Sequence, residues 1–208
     1  MDMLYKLIIL LVSYLLGSIN TSIIISKIMI GDDIRNHGSG NAGATNTLRT
    51  VGKLGAILVV IGDILKAVIA ILLARLVFAK YIPEGTELAT YIAGIGAVLG
   101  HNFPVFFKFK GGKGIIVSTV AIIFADPLLG AITAVSAIAI MAISRYVSLG
   151  SILGAVIFVV LALVFKAADT VFVAFALMLA VLAIYMHRTN IVRLLSGKEN
   201  KLSFSKKQ

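Results

Sequence analysis

The stretch LGAILVVIGDILKAVIAILLARLVF, residues 54–78, decides the fold class because it is an almost uninterrupted run of apolar residues. A helix that crosses a bilayer needs about 20 mostly apolar residues, so this segment is predicted to span a membrane. Asp63 and Lys66 lie near its middle, and each intramembrane charge costs about 2.5–3.5 kcal/mol on insertion scales. We expect them to form an ion pair facing the helix bundle, either for structure alone or in support of a site.

The composition of the whole chain agrees with a membrane protein. Apolar residues make up 60% of the 208 positions and charged residues 13%, against about 45–50% and about 25% in soluble domains. The net charge of +10 is compatible with nucleic-acid binding, but the polar domain needed for that function is absent. It fits basic cytoplasmic loops and attraction to anionic lipid or an anionic substrate. The absence of cysteine excludes disulfides, thiolate zinc sites and cysteine nucleophiles.

Further apolar segments extend this pattern along the chain. They are residues 3–30, 88–107, 115–124, 128–143, 151–165 and 171–186. Counting 115–124 as a short span gives seven, and merging it with 128–143 across Asp126 and Pro127 gives six. We favour an all-α polytopic membrane protein of about seven transmembrane helices. A single integral membrane domain, 1–208, is expected, with a short, basic, disordered tail over about 198–208.

The distribution of basic residues predicts the orientation. With seven spans and the N-terminus outside, the cytoplasmic segments are 27–53, 108–114, 145–150 and 187–208. They hold most of the nineteen lysines and arginines, as the positive-inside rule requires. A six-span arrangement weakens this bias. We therefore expect a cytoplasmic C-terminus.

The first polar segment is NHGSGNAGATNTLR, residues 36–49. Its glycines allow tight turns and close backbone approach, and a glycine-rich segment that leads into a helix offers free N–H groups to a phosphate. Arg49 adds a guanidinium for an anion. The alternative is a polar loop whose glycines only turn the chain.

The second polar segment is GHNFPVFFKFKGGKG, residues 100–114. Its lysines and glycines predict a flexible cationic loop at the membrane surface. The alternative is a topology signal with interfacial aromatic residues. His101, taken alone, is typical of a hydrogen-bonded structural histidine.

The third polar segment is HRTNIVRLLSGKENK, residues 187–201, which begins where the last span ends. His187 and Asn190 are three positions apart and so share a helix face. The alternative is a basic tail that holds the helix end at the headgroups. Ser148 and Ser151 stand at a predicted helix start, where serines usually act as caps.

On the seven-span arrangement these segments all lie at the cytoplasmic face, where they would form a cationic, donor-rich pocket beside the lipid. Such a pocket suits a phosphorylated substrate and an acyl chain. The chain lacks paired carboxylates, His-x-x-Glu-His, Gly-x-Ser-x-Gly and the His-x4-Asp arrangement of other acyltransferases. No metal or cofactor is expected, because the carboxylates are few and scattered.

The three segments resemble the signature motifs of the bacterial membrane acyl-phosphate:glycerol-3-phosphate acyltransferase family. The matching strings are GSGNAGATNTLR at 38–49 and the second and third segments as quoted above. GSI at 17–19 and GDILK at 62–66 are also similar, so the resemblance covers nearly the whole chain.

The sequence departs from the family pattern in two places. Asn20 stands where the family is expected to have proline, and this exchange is expected to straighten the first helix. Ile115 and Ile116 are a mild apolar exchange after the second motif.

The resemblance implies transfer of an acyl group from acyl phosphate to the 1-hydroxyl of sn-glycerol 3-phosphate. The products are lysophosphatidic acid and phosphate, and the step opens bacterial phospholipid synthesis. A multi-pass protein of the bacterial cell membrane is implied, with its site at the cytoplasmic face. A small bundle with an internal site could work as a monomer. The expected partners are the two substrates and membrane lipid, and no binding to nucleic acid is expected.

The residues fit this reaction, because an acyl phosphate is already activated and mainly needs orientation and anion stabilisation. The departing phosphate is favoured to accept the hydroxyl proton, with His101 and His187 as alternative bases. The predicted catalytic residues are Ser39, Asn41, Arg49, Lys108, His187 and Asn190. The predicted substrate-binding residues are Gly40, Gly43, Ala44, Thr45, Asn46, His101, Lys110, Gly111, Gly112, Lys113, Ser148, Ser151 and Arg193.

Two other functional classes are considered. A small transporter of organic phosphate or phospholipid would explain the intramembrane charges, but no inverted halves are detectable and the polar residues crowd one face. A purely structural membrane protein would not need three long polar motifs.

Overall fold

The computed structural model describes residues 2–81 and 85–202, and the regular elements in these ranges are helical. The helices of the first half are α1 (Asp2–Gly17), α2 (Thr21–Ile30), α3 (Ala44–Thr50), α4 (Lys53–Tyr81) and α5 (Thr86–Asn102). Those of the second half are α6 (Ile115–Ala125), α7 (Pro127–Ser144), α8 (Val147–Phe165), α9 (Thr170–Met186) and α10 (Arg188–Leu195). Short 3-10 turns cover Ile34–Asn36 and Val105–Phe107.

Five helical stretches are long and apolar enough to cross a membrane: Met3–Ile30, Lys53–Tyr81, Thr86–Phe107, Pro127–Ser144 and Val147–Phe165. A sixth results if α9 and α10, which meet at a bend of 61°, count as one span. The shorter α6 is also apolar. The prediction of an all-helical polytopic membrane protein is confirmed.

The chain divides into two compact units, residues 1–121 and 122–208, here called unit 1 and unit 2. In unit 1, α1 packs closely on α5 through small residues. A Cβ built on Gly96 would lie 2.9 Å from the carbonyl oxygen of Leu10, and one on Gly100 would overlap the carbonyl of Tyr14. Small residues allow such close backbone approach between membrane helices, whose association depends on van der Waals packing.

Replacing Gly100 by alanine should therefore destabilise unit 1, by more than about 3 kcal/mol, because the added methyl group meets rigid backbone. Gly31→Ala is the matched control: a Cβ there meets nothing within 4 Å, although its φ of +73° favours glycine. Thermal unfolding in detergent should show a much larger loss for Gly100→Ala. Equal losses would mean that the α1–α5 approach tolerates a methyl group.

The first span is broken between α1 and α2, at residues 18–20. Asn20 is fully buried and caps α2, since its Oδ1 accepts a hydrogen bond of 3.1 Å from the N–H of Ile23. The expectation that asparagine here straightens the first helix is therefore wrong. An amide at this position supplies the N-cap acceptor that starts a new helix.

In unit 2, α7 and α8 pack through Gly150 and Gly154 against Ala137. The α8–α9 contact is aromatic, with the rings of Phe158 and Phe172 edge to face at 5.7 Å between centroids. These contacts pack α7, α8 and α9 together, and the third polar segment begins at the end of α9.

Candidate functional site

The segment 36–49 is organised around the side-chain amide of Asn46, which is almost fully buried. Its Oδ1 accepts from the N–H of Ser39 at 2.9 Å, and its Nδ2 donates to the carbonyls of His37 at 2.9 Å, Asn41 at 3.1 Å and Ile34 at 3.3 Å. Both ends of the amide thus bind main-chain groups of the loop. Asn46, predicted to bind substrate, shapes the loop that carries Ser39 and Asn41.

Arg35 connects this loop to the second polar segment. Its Nη1 donates to the carbonyls of Phe107 at 2.8 Å and Lys110 at 3.0 Å, while its Nε and Nη2 bind the carboxylate of Asp33 in bidentate fashion. The hydrogen bonds to Asp33 raise the pKa of Arg35, and those from Arg35 lower the pKa of Asp33. Arg35 lies in the predicted cytoplasmic segment 27–53 and was not among the predicted site residues, although its Asp-x-Arg spacing allows this local ion pair.

The carbonyls that Arg35 holds flank a strained turn. Lys108 and Phe109 have φ of 58° and 57°, in the left-handed region that non-glycine residues rarely adopt. Strain of this kind costs on the order of 1–3 kcal/mol per residue and persists only where surrounding contacts enforce it. Lys108 thus presents its side chain from a backbone conformation fixed by contacts from the first loop.

The glycines of the second segment pack against the end of α5. The N–H groups of Gly111 and Gly112 donate to the carbonyls of Asn102 and His101, each at 3.1 Å. A Cβ on Gly112 would overlap both His101 Nε2 and the carbonyl oxygen of Ala42. The two loops therefore touch at Gly112, directly before the start of α6, and a glycine-rich turn into a helix N-terminus is suited to phosphate.

The same two segments carry exposed cationic and hydroxyl side chains. Ser39, Arg49, Lys108 and Lys110 are exposed, whereas Ala42 and Gly112 are buried. The described part of the chain contains no group of three His, Cys, Asp or Glu side chains arranged as metal ligands. Exposed cations and hydroxyl groups are therefore the polar side chains that these segments present.

A buried cluster of charged and polar side chains lies at the contact of α4 with the end of α5. Lys66 Nζ contacts Asp63 Oδ1 at 2.9 Å, His101 Nδ1 at 2.9 Å and the carbonyl oxygen of Ile19 at 3.0 Å. The predicted Asp63–Lys66 ion pair is confirmed, and the structure adds His101 to it.

In unit 2 the third polar segment is centred on Glu199. Its Oε1 accepts from Ser148 at 2.9 Å and Asn190 at 2.7 Å, and its Oε2 accepts from Arg193 at 2.8 Å. Leu202 also donates its N–H to the carbonyl of Arg145. The prediction of a disordered tail after about Lys198 is therefore wrong for residues 199–202, while residues 203–208, including Lys206 and Lys207, lie outside the described residues.

Two further side chains of unit 2 have defined partners. His187 Nδ1 lies 2.8 Å from the carbonyl oxygen of Ala183; a carbonyl only accepts, so Nδ1 carries a proton. Ser151 donates to the carbonyl of Val147 at 2.9 Å, inside α8. Neither Ser148 nor Ser151 caps the helix, so the cap interpretation is wrong for both.

The structure places the predicted site residues in two groups. Unit 1 holds Ser39, Gly40, Asn41, Gly43, Ala44, Thr45, Asn46, Arg49, His101, Lys108, Lys110, Gly111, Gly112 and Lys113. Unit 2 holds Ser148, Ser151, His187, Asn190 and Arg193. Three residues that organise these segments were not predicted from the sequence: Asp33, Arg35 and Glu199. Each forms hydrogen bonds with polar groups of a neighbouring segment or of its own loop.

Comparison with known proteins identifies the family. The glycerol-3-phosphate acyltransferase family model matches residues 7–197, nearly the whole chain. The chain belongs to this family. A glycerol-3-phosphate acyltransferase of Thermoanaerobacter sp. (strain X514) is 46% identical over 198 residues, covering 95% of this chain and 96% of the relative. That of Clostridioides difficile (strain 630) is 41% identical over 206 residues, covering 99% and 100%.

Solved structures of the family are also similar. The glycerol 3-phosphate form of PlsY (YgiH), an integral membrane glycerol 3-phosphate acyltransferase, is 37% identical with a TM-score of 0.83, covering 95% of this chain and 96% of that one. Its lysophosphatidic acid form has a TM-score of 0.80 and 34% identity, covering 96% of each chain. Membership of the family thus extends to the three-dimensional fold.

The Glu199 cluster gives a pH-dependent prediction. Burial alone would raise the pKa of Glu199, but hydrogen bonds from Arg193, Asn190 and Ser148 outweigh it and lower that pKa below its usual 4.5. A carboxyl group whose pKa is lower in the folded state than in the unfolded state stabilises the fold at pH values above its unfolded-state pKa. This stabilisation is lost as the pH falls through the folded-state pKa. Glu199→Gln should therefore have a lower melting temperature than the parent at neutral pH, and the difference should shrink below about pH 4.5. A difference independent of pH would contradict the charged role of Glu199.

Proposed function

We propose that this protein transfers an acyl group from acyl phosphate to the 1-hydroxyl of sn-glycerol 3-phosphate, releasing lysophosphatidic acid and phosphate. Membership of the glycerol-3-phosphate acyltransferase family supports the acceptor and the reaction class. The observation that carries the proposal is the contact of the two glycine-rich loops at Gly112, in segments that also carry the exposed cations Arg49, Lys108 and Lys110. An arrangement of this kind suits anionic phosphate groups.

The proposed step needs no covalent enzyme intermediate. The hydroxyl oxygen of glycerol 3-phosphate attacks the acyl carbonyl carbon, the bond from that carbon to the phosphate oxygen breaks, and phosphate leaves with the electron pair. The hydroxyl proton passes to the departing phosphate, with His187 Nε2 as the alternative acceptor because Nδ1 already carries a proton. Orientation and charge stabilisation then supply the rate enhancement.

Side-chain roles follow from this step. Ser39 and Asn41, with N–H groups of the first loop, are proposed to hold one phosphate, and Arg49, Lys108 and Lys110 to neutralise substrate charge. His187 and Asn190 are proposed to position glycerol phosphate. The hydroxyl of Ser148 donates to Glu199 and is therefore assigned to supporting the third segment instead of contacting phosphate. The hydroxyl of Ser151 donates to the Val147 carbonyl within α8 and is assigned to that helix.

We further propose seven spans with an external N-terminus, a cytoplasmic C-terminus and the site at the cytoplasmic face of a bacterial cell membrane, in a protein active as a monomer. The support is the basic-residue distribution together with α6 as a short seventh span. Because the chain lacks cysteine, single cysteines can report the side. A membrane-impermeant maleimide should label Ala168→Cys in intact cells and Ser196→Cys only after permeabilisation; the reverse pattern would overturn the orientation.

The reaction is tested by phosphate release from palmitoyl phosphate by purified protein, with and without glycerol 3-phosphate. Release that requires glycerol 3-phosphate and matches lysophosphatidic acid formation is the expected result. A folded protein that releases no phosphate, yet moves unchanged glycerol 3-phosphate into sealed vesicles, would favour the transporter instead.

A further inference from the structure

The buried charges on α4, Asp63 and Lys66, contact His101 at the end of α5 as well as each other. Asp63, Lys66 and His101 are 2%, 6% and 4% exposed, so the cluster is sealed from solvent. Asp63 Oδ1 also lies 3.3 Å from the Thr21 hydroxyl, which donates to it. A buried ion pair of this kind is weak evidence for added stability, whereas intramembrane ionisable residues commonly mark functional regions.

The contacts of Lys66 determine which nitrogen of His101 carries the proton. An ammonium group has three donors and no acceptor capacity. Two of its partners, the Ile19 carbonyl and the Asp63 carboxylate, are acceptors. The third N–H therefore donates to the lone pair on His101 Nδ1 at 2.9 Å. Asp63 lies farther from the same nitrogen, at 3.5 Å. His101 is thus neutral, with its proton on Nε2.

The other side of the His101 ring supports the loops. A Cβ at residue 112 would overlap Nε2 and the Ala42 carbonyl oxygen, so only glycine fits between the imidazole and the first loop. The Gly112 N–H also donates to the His101 carbonyl at 3.1 Å. The imidazole thus packs against Gly112 of the second loop, and Gly112 in turn packs against Ala42 of the first loop.

We propose that Asp63 and Lys66 are positioning residues that fix His101 as the neutral Nε2–H tautomer beneath Gly112 and so set the shape of the phosphate-binding loop. The phosphate role of that loop rests on the proposed function. One consequence concerns proton transfer: Nδ1, the basic nitrogen of this tautomer, accepts from Lys66, so His101 is not the general base. The departing phosphate and His187 remain as proton acceptors.

Nitrogen-15 NMR of histidine-labelled protein tests the tautomer directly, because the chain has three histidines. The His101 signals are assigned by their loss in His101→Gln. The expected result is a neutral Nε2–H ring for His101 and a proton on Nδ1 for His187. A His101 proton on Nδ1, or an imidazolium at neutral pH, would overturn the proposal whether or not acyl transfer is observed.

Kinetics test the link to the loop. Lys66→Met alone leaves the Asp63 carboxylate buried without its cation, so the charge-neutral pair Asp63→Asn with Lys66→Met is made as well. In the double variant we expect the KM for glycerol 3-phosphate, or the inhibition constant of inorganic phosphate, to be about 10–100-fold higher than in the parent. The same samples should show a mixture of the two neutral His101 tautomers. Lys53→Met, an exposed lysine at the start of α4, is the control. A double variant with unchanged phosphate affinity and an unchanged tautomer would refute the positioning role, while absence of acyl transfer in the parent would refute only the proposed reaction.

Discussion

Replacing Arg49 by alanine should lower kcat/KM for glycerol 3-phosphate by at least about 100-fold, the usual loss when one charge-stabilising group is removed from a transition state. Arg49 lies in the last turn of α3, and its side chain is exposed. Exposed substitutions usually change stability by less than about 0.5 kcal/mol, so the melting temperature should stay near that of the parent. Arg49→Lys should recover only part of the rate, since an ammonium lacks the planar fork that binds phosphate in bidentate fashion.

The matched control for Arg49 is Lys53→Ala, which removes an exposed cation four residues later. Initial rates of lysophosphatidic acid formation are measured over a range of concentrations of both substrates. They distinguish a specific contact between Arg49 and substrate from a general effect of positive electrostatic potential. Comparable losses in the two variants would indicate that only the local positive potential matters. A near-normal rate for Arg49→Ala would remove Arg49 from the proposed site.

Replacing Asn46 by alanine should abolish nearly all activity and also destabilise the protein by about 2–3 kcal/mol. The carbonyls of Ile34, His37 and Asn41 each retain a second N–H partner, but the N–H of Ser39 would lose the Asn46 oxygen. A hydrogen-bonding group left unsatisfied costs about 1–3 kcal/mol, and the loop would no longer hold Ser39 in place.

Asn46→Asp provides a sharper test of this geometry. A carboxylate keeps the acceptor for Ser39 but faces three carbonyl oxygens with no donor, so its loss of activity should equal or exceed that of alanine. Thr50→Val is the control, because Thr50 makes a single hydrogen bond to the Asn46 carbonyl one turn later. Activity and melting temperature in detergent are measured together. An active Asn46→Asp protein would show that the amide does not organise the loop.

The polar segments were recognisable in the sequence because a membrane-buried chain has little other use for them. Lipid-facing helices require only apolar and small side chains, so clusters of glycine, asparagine, lysine and arginine stand out in the segments around Arg49, Lys108 and His187. The sequence did not show which residues of a segment shape the loop and which are exposed. Asn46 and Arg49 occupy the same short segment, yet one is buried among main-chain groups and the other is exposed.

The residues that hold the site were hidden for a related reason. Arg35 contacts carbonyls more than 70 positions away, and Glu199 gathers donors from α8 and α10. A charged residue in a basic loop carries no local sign of such distant acceptors. Asn20 shows the converse: replacing an expected proline suggested a straighter helix, whereas the amide actually starts a new one.

By itself, the amino-acid sequence determined that this protein is a helical membrane protein with three polar segments between or after its apolar runs, because hydrophobic run length and motif spacing are local properties. The tertiary structure alone decided that Lys66 contacts His101, that His101 packs against Gly112, and that Arg35 and Glu199 hold the surrounding loops. These facts depend on which helices meet and at what distance. Close approach through residues such as Gly100 makes that possible, and no linear spacing encodes it.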